Sequence, residues 1–185
     1  MRCSPRRAHR SGNRSPRRFS AATSAAWATI AAVPTLPDLF DAREVDAAVT
    51  RLLALTPDRE PRWGRMNAGQ MLAHCRVAYA MALQDDFPRP NPLLRLFLRL
   101  AVKGFVTGPA PYRRHMRTAP VFLVAPDQDF VRERDGLIAD LRAMCARGRT
   151  YFEGRSSPNF GPLTAAQWNT LLAKHLMHHL DQFGA

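Results

Sequence analysis

Three of the six histidines in the chain lie within five residues near the C-terminus, at positions 175, 178 and 179. On an α-helix, residues four apart point the same way and their Cβ atoms lie about 5–6 Å apart. His175 and His179 are therefore within reach of one ion, whereas His178 points about 60° away from His175. The spacing supports two interpretations, a metal-binding pair or histidines that only fill a core.

The segment that carries this pair predicts an amphipathic helix with both ends marked. Thr164 and Gln167 have the spacing of a capping box, and Gly184 suits the left-handed residue that ends a helix. One side of the helix carries the apolar residues and the histidine pair, namely Trp168, Leu171, Leu172, His175, His179 and Phe183. We expect Lys174, on the opposite side, to face solvent.

Two histidines do not complete a tetrahedral or octahedral site, so a metal requires at least one more ligand from another element. His74 meets this need, because residues 65–83 predict a second helix that carries it on the apolar side. Its neighbours on that side are Met71, Ala78 and Met81. His9 and His115 are poorer candidates, since they lie in a basic tail and a basic loop.

Four long helices account for most of residues 36–185. Caps and apolar stripes place them at residues 41–55, 67–83, 130–147 and 164–183. Asp127 or Asp129 caps the third of these helices, and Gly148 is expected to end it. More than 40 residues separate the second from the third, and we expect a short extended piece within this connection at Val121–Val124. The predicted fold is all-α: a four-helix bundle with a long crossover between helices 2 and 3 and one short extra helix. Such bundles commonly build metal sites in their core.

The short extra helix is predicted at Leu93–Phe105, with Arg95, Arg99 and Lys103 on one side. A basic amphipathic helix can bind a membrane surface or a partner groove. We expect instead that its basic side chains face solvent while its leucine side covers the bundle as a lid. The same Leu93–Leu100 side is also suited to a homodimer.

The length of the chain indicates one domain, and the distribution of its charge indicates a basic N-terminal tail. The 185 residues are 46% hydrophobic, and no segment approaches the roughly 18 uninterrupted apolar residues of a membrane helix. Residues 1–18 contain seven Arg and no acidic residue, so the total charge of +12 leaves +5 for the remaining chain. This mild excess predicts no specific nucleic-acid partner. A third functional hypothesis is nonetheless a nucleic-acid or anionic-surface binder that uses the Arg tail and the side of Arg95, Arg99 and Lys103.

Residues 1–35 are predicted to be a disordered basic extension, or the product of a start codon placed too far upstream, and residues 36–185 the folded domain. A weaker alternative is an export signal, because the positive start precedes an Ala-rich run. The odd number of cysteines, without a pairing pattern, favours a reducing, cytoplasmic compartment.

Two stretches of the sequence resemble an uncharacterised branch of the DinB-like (YfiT-like) four-helix metalloprotein superfamily. They are Trp63-Gly-x-Met66-Asn-Ala-x-Gln-Met71-Leu-Ala-His74 and Leu163-Thr-x-x-x-Trp168 followed by Lys174-His175-Leu-x-His178-His179-Leu-x-Gln182-Phe183-Gly184. The resemblance covers about residues 36–185. It implies that His74, His175 and His179 hold a divalent ion, usually zinc or nickel, with at least one open position.

The resemblance also implies a class of chemistry. Characterised relatives use low-molecular-weight thiols for transfer or isomerisation, and others resemble hydrolases. The chain is therefore expected to be a metal-dependent transferase or hydrolase acting on a small-molecule substrate, with no residue singled out as catalytic. The alternative is a non-catalytic bundle that binds a metal or a small ligand. His178 and Gln70 are the candidates to orient a ligand or substrate from just outside the site.

Overall fold

The computed structural model describes Met1 and residues 35–185. The disordered extension and the export signal predicted for the N-terminus lie outside the described residues. The elements in chain order are α1 (Ala42–Leu53), α2 (Ala68–Leu83), α3 (Pro92–Phe97), a π-helical turn (Leu98–Val102), α4 (Lys103–Thr107), a 3₁₀ turn (Pro120–Phe122), α5 (Phe130–Phe152), β1 (Ser156–Ser157), β2 (Gly161–Pro162) and α6 (Ala165–Phe183). None of the helices in this part of the chain is long and apolar enough to cross a membrane.

The four long helices α1, α2, α5 and α6 share one apolar core. Helix α2 packs most extensively on α5 and also contacts α6, and α5 contacts α1 as well. Each long helix contributes fully buried side chains, including Leu52, Tyr79, Leu141 and Trp168. The predicted all-α fold is confirmed, and the long crossover lies between the second and third long helices as expected.

Local signals in the sequence set most helix ends. Asp129 caps α5 by accepting a hydrogen bond from the Arg132 amide at 3.0 Å. Gly148, the expected end of α5, does leave the helical conformation, with φ +69°, but a further turn continues to Phe152. A left-handed glycine interrupts the hydrogen-bond ladder without preventing the chain from resuming a turn.

The crossover differs from the prediction in two places. The leucine side of the short helix does not cover the bundle, because Leu93 and Leu100 are 79% and 78% exposed. The residues that pack on the core are instead Leu98, Val102 and Val106. The helix is apolar around most of its circumference, so its sequence alone could not select the packing side.

Val121–Val124 was expected to be extended, but Pro120–Phe122 forms a 3₁₀ turn. Proline favours the first position of a helical turn, because it fixes φ and needs no amide partner there. This turn bends the crossover towards α2.

Candidate metal centre

Helix α6 holds two of the predicted ligands at a defined rotation. The Thr164 hydroxyl accepts from the Gln167 amide at 3.1 Å, and the Gln167 side chain accepts from the Thr164 amide at 3.0 Å, which completes the predicted capping box. Gly184 ends the helix in the left-handed conformation, with φ +66°. Between these ends, His175 and His179 lie one turn apart on the inner side.

Helix α2 supplies the third histidine. Its first turn is capped by Asn67, whose side-chain oxygen accepts from the Gln70 amide at 2.7 Å. Five consecutive residues from Met71 to Cys75 are buried, so neighbouring elements cover this helix on nearly every side. His74 is only 4% exposed and reaches α6 through this packed interior.

The structure brings these three histidines together. The ring centroids of His74, His175 and His179 form a nearly equilateral triangle with sides of 4.7 to 4.9 Å. One nitrogen from each ring can be chosen so that all lie within 4.8 Å of one another. The Nε2 atoms of His74 and His175 are 3.0 Å apart.

Two of the rings are oriented by partners that fix their protonation. His74 Nδ1 lies 2.9 Å from the Phe122 carbonyl oxygen, and His179 Nδ1 lies 2.7 Å from Gln182 Oε1. Both oxygens can only accept, so each Nδ1 must carry the proton. Each Nε2 therefore keeps a lone pair for the centre of the cluster.

The orientation of Gln182 is itself fixed by the loop before α2. Gln182 Nε2 donates to the Trp63 carbonyl oxygen at 2.6 Å, which turns Oε1 towards His179. The close approach requires glycine at position 64, because a Cβ there would lie 2.5 Å from Gln182 Nε2 and the backbone has φ +89°. The loop at Trp63 and Gly64 thus determines the orientation of the His179 ring through the Gln182 side chain.

His175 is held differently. Its Nδ1 is buried and has no hydrogen-bond partner among the described residues. As a whole residue His175 is half-buried, whereas His74 and His179 are only 4% and 7% exposed. His74 Nε2 keeps its lone pair and lies 3.0 Å from His175 Nε2, so His175 carries its proton on Nε2 and donates it to His74 as long as no ion is bound.

Burial keeps all three imidazoles neutral near pH 7. Burial lowers the pKa of His74, although the hydrogen bond to Phe122 opposes the shift. Burial, together with the charges that the other histidines would carry, lowers the pKa of His175 well below 6.5. The same causes lower the pKa of His179 to about 3. Neutral imidazole is the form that binds a metal, so no proton must be displaced at neutral pH.

The cluster fits a first-row divalent ion. Three nitrogen donors suit zinc or nickel better than calcium or magnesium, which prefer oxygen. Bonds of about 2.0–2.1 Å in a tetrahedral arrangement would separate the nitrogens by about 3.3 Å. The 3.0 Å separation of His74 Nε2 and His175 Nε2 is near this value. The described residues can therefore hold a metal ion, with a ligand position left over.

Comparison with known proteins places the domain in a family. A family described as "Protein of unknown function (DUF1569)" matches residues 38–185. The chain belongs to this family. No curated protein and no solved structure matches the chain. The region matched to DUF1569 includes all three histidines of the cluster, together with the Phe122 carbonyl and the Gln182 amide that orient them.

The two residues predicted to lie just outside the site have different surroundings in the DUF1569 domain. His178 is half-buried beside the cluster, with its ring centroid 5.2 Å from that of His179. Its ring also lies 5.7 Å from Trp63 and 5.8 Å from Tyr112. Gln70 points its side chain to the crossover, where Nε2 donates to the Val124 carbonyl oxygen at 2.6 Å. It holds the crossover close to the point where Phe122 meets His74.

Lys174 contradicts the expectation that it faces solvent, since it is only 3% exposed. Its Nζ donates to three crossover carbonyls, those of Phe105 and Gly108 at 2.7 Å and of Ala110 at 3.1 Å. The expectation was wrong because the crossover covers this side of α6, and such distant packing leaves no trace in helical periodicity. Burial lowers the pKa of Lys174.

Sequence reasoning assigned no role to the two groups that orient the histidines. Gln182 follows His179 by three residues, a spacing that puts the two side chains on the same helix side, so a local signal existed. The Phe122 carbonyl had none, because a backbone oxygen leaves no residue-type signal. Tyr112, whose ring centroid lies 6.4 Å from that of His175, belongs to a loop without a periodic pattern, so no local signal linked it to the site.

Proposed function

We propose that this protein binds a divalent metal ion, zinc or nickel, through His74, His175 and His179 and uses it as an enzyme on a small-molecule substrate. The observation that carries the proposal is the triangle of neutral imidazoles, two of which are oriented with Nε2 directed inward. Histidines that only filled a core would have no need of two inward-directed Nε2 lone pairs beside a third imidazole.

The proposed reaction is a thiol-dependent transfer or a hydrolysis. Three neutral ligands leave the double charge of an ion uncompensated, so a water or thiol that reached the ion would lose its proton near neutral pH. A low-molecular-weight thiol is accordingly the proposed co-substrate.

The chain's own residues have distinct parts in this proposal. The three histidines bind the ion, while Gln182 and the Phe122 carbonyl orient two of them. The Phe122 ring packs 5.3 Å from His74 and 5.6 Å from His175, centroid to centroid, and excludes water from that side. On the other flank, His178 lies between Trp63 and Tyr112, and we propose this flank as the place where substrate meets the ion.

We also propose that the domain is a DinB-like (YfiT-like) superfamily member. The four-helix bundle with its long crossover supports this, as does the supply of one histidine by the second helix and two by the last. A cytoplasmic location is proposed as well, and the free thiols of Cys75 and Cys145 are consistent with a reducing compartment.

The alternative function is a non-catalytic bundle in which the ion is structural. The low exposure of His74 and His179 favours it, because structural ions are usually enclosed. The two functions differ in whether an outside molecule can reach the ion.

Elemental analysis of the purified protein tests metal binding. We expect close to one zinc or nickel per chain, and less than about a tenth of that in the His175→Ala/His179→Ala variant, which retains a single ligand. Absence of metal from the wild-type protein, even after reconstitution, would contradict the proposal.

Cobalt substitution separates the enzyme from the structural alternative. The visible spectrum of Co²⁺ reports its ligands, so a small thiol that binds at an open position should change the spectrum in a saturable manner. A spectrum indifferent to thiols and to small anions, from protein that nevertheless retains cobalt, would support the structural ion.

A further inference from the structure

The crossover concentrates the positive charge of the domain. Residues 87–126 contain six Arg and one Lys and no acidic residue. Residues 19–185 as a whole carry only +5, so with the crossover set aside their charge is −2. The bundle therefore carries a cationic segment on a slightly anionic body, which identifies the crossover as the surface suited to an anionic partner.

The same segment exposes a continuous apolar stripe. Leu93, Leu96, Phe97 and Leu100 are 79%, 50%, 59% and 78% exposed. Their spacing of i, i+3, i+4 and i+7 places them on one side of the helical segment 92–107, opposite the residues that pack on the core. Large apolar side chains gathered in this way mark an interaction surface, whereas single exposed ones do not.

Arginines border the stripe at an open pocket of about 500 Å³ lined by Arg89, Pro90, Pro92, Arg95, Leu96 and Arg99. None of its three arginines forms an ion pair with a residue in the described part of the chain. Arg95 Nε is buried and lacks a hydrogen-bond partner there. Arg89 and Arg99 are exposed, so two cationic side chains without an ion pair in the described residues lie next to the apolar stripe.

We propose that the crossover docks this protein on an anionic lipid bilayer. The Leu and Phe stripe enters the boundary between headgroups and acyl chains, and the arginines contact lipid phosphates. Two other occupants fit less well. A second copy on a two-fold axis would bring the acid-free arginine borders of both copies together, and a nucleic acid would leave the apolar stripe in water. The proposal is independent of the metal site.

Sedimentation of the full-length protein with vesicles tests the proposal. We expect binding to phosphatidylcholine vesicles that contain phosphatidylglycerol, and much weaker binding to phosphatidylcholine alone or at high salt. The Leu96→Ser/Phe97→Ser/Leu100→Ser variant should partition at least about tenfold less. A charge variant of the two exposed pocket arginines, Arg89→Gln/Arg99→Gln, should also bind these vesicles at least about tenfold more weakly.

A matched control makes the same chemical change elsewhere. Leu53 and Val131 are 55% and 54% exposed but lie outside the crossover, so Leu53→Ser/Val131→Ser should bind vesicles as the wild type does. Every variant retains the basic N-terminal residues, so equal binding by all of them would assign the membrane affinity to those residues and overturn the proposal. A wild-type dimer that the stripe variant converts to monomer, as seen by light scattering, would overturn the proposal in favour of a second copy. An RNA oligonucleotide that displaces the vesicles, and that the stripe variant binds as tightly as the wild type does, would overturn it in favour of a nucleic acid.

Discussion

The nitrogen that each histidine presents to the cluster depends on what its other nitrogen contacts. Phe122 and Gln182 supply acceptors for His74 and His179, so these rings hold their Nε2 lone pairs inward without a metal. His175 lacks such a partner in the described residues. Two pre-oriented ligands and one adaptable ligand lower the ordering cost of binding an ion, while the third ring can still adjust to it.

Replacing Gln182 tests how much this orientation contributes. Gln182→Leu keeps the side-chain volume but removes the acceptor for His179 and the donor to the Trp63 carbonyl. We expect zinc affinity to fall about 10–100-fold, because the ring loses the bond that fixes its tautomer and position. Competition with a chromophoric chelator measures the change.

The control for this variant is Gln84→Leu, which makes the same chemical change at an exposed side chain beyond the end of α2. Its zinc affinity should equal that of the wild type within about twofold, because substitutions at sites distant from one another rarely influence each other by more than this. Equal losses in the two variants would mean that Gln182 has no special influence on the cluster.

The lowered pKa values predict that the metal-free protein loses stability in mild acid. Below pH 6.5 an unfolded chain protonates His179, whereas the folded chain resists protonation until its pKa of about 3. The unfolded state therefore binds more protons, and the free energy of unfolding falls as the pH falls, by about 2 kcal/mol from this residue at pH 5. Urea denaturation of chelator-treated protein at pH 7 and pH 5 measures the loss. In His179→Gln the pH-dependent loss should be smaller, and an unchanged loss would contradict the assignment.

At the scale of elements, the sequence predicts those features that residues close together in the chain determine, such as the ends of a helix and its apolar side. The capping box of Thr164 and Gln167 and the apolar stripe of α6 are local patterns, so the helix and the shared direction of His175 and His179 could be inferred from them. The contact of His74 with His175 joins residues 101 positions apart. The apolar side of the second helix made His74 a candidate ligand, and the family resemblance implied the same three histidines, but no local pattern could give the contact itself.

The sequence could not show how the crossover lies on the bundle. Lys174 was assigned to solvent and the Leu93–Leu100 side to the bundle, and both assignments were wrong for one reason. Periodicity reports which side of a helix is apolar, but the element that covers each side depends on contacts distant in sequence. The buried Lys174 ammonium and the exposed Leu93–Leu100 side both run against the general pattern of polar residues outside and apolar residues inside. The second of these exceptions is the feature on which the membrane-docking proposal rests.

Lys174 is predicted to fix the position of the crossover. Lys174→Met removes the donor shared by the part-buried carbonyls of Phe105, Gly108 and Ala110 and leaves an unpartnered site around a side chain that is 3% exposed. The expected cost is about 3 kcal/mol in the free energy of unfolding, measured by urea denaturation. Lys103→Met is the matched control, since Lys103 donates to one exposed carbonyl, that of Pro162 at 3.0 Å, and should cost less than about 1 kcal/mol. Similar costs for both variants would exclude a special role for Lys174.

At the scale of the whole molecule, the histidine cluster joins three parts of the fold. His74 belongs to α2, His175 and His179 belong to α6, and the Phe122 carbonyl brings in the crossover. A ligand that binds only where these parts meet stabilises all of them together, because an unfolded chain does not present the same three nitrogens. Metal binding should therefore appear as global stabilisation as well as local order.

This coupling predicts that the melting temperature follows the metal content. Free zinc at 100 times its dissociation constant adds about 2.7 kcal/mol to the folded state, which for a domain of this size raises the melting temperature by about 5–10 °C. Calorimetry of the chelator-treated protein with and without zinc measures the shift, and His175→Ala/His179→Ala should show none.

The crossover should respond too: if zinc orders the cluster through Phe122, amide hydrogen exchange around residues 120–124 should slow on metal addition in the wild type alone. A rise in melting temperature without that slowing would place the stabilisation in α2 and α6 and leave the crossover uncoupled from the metal.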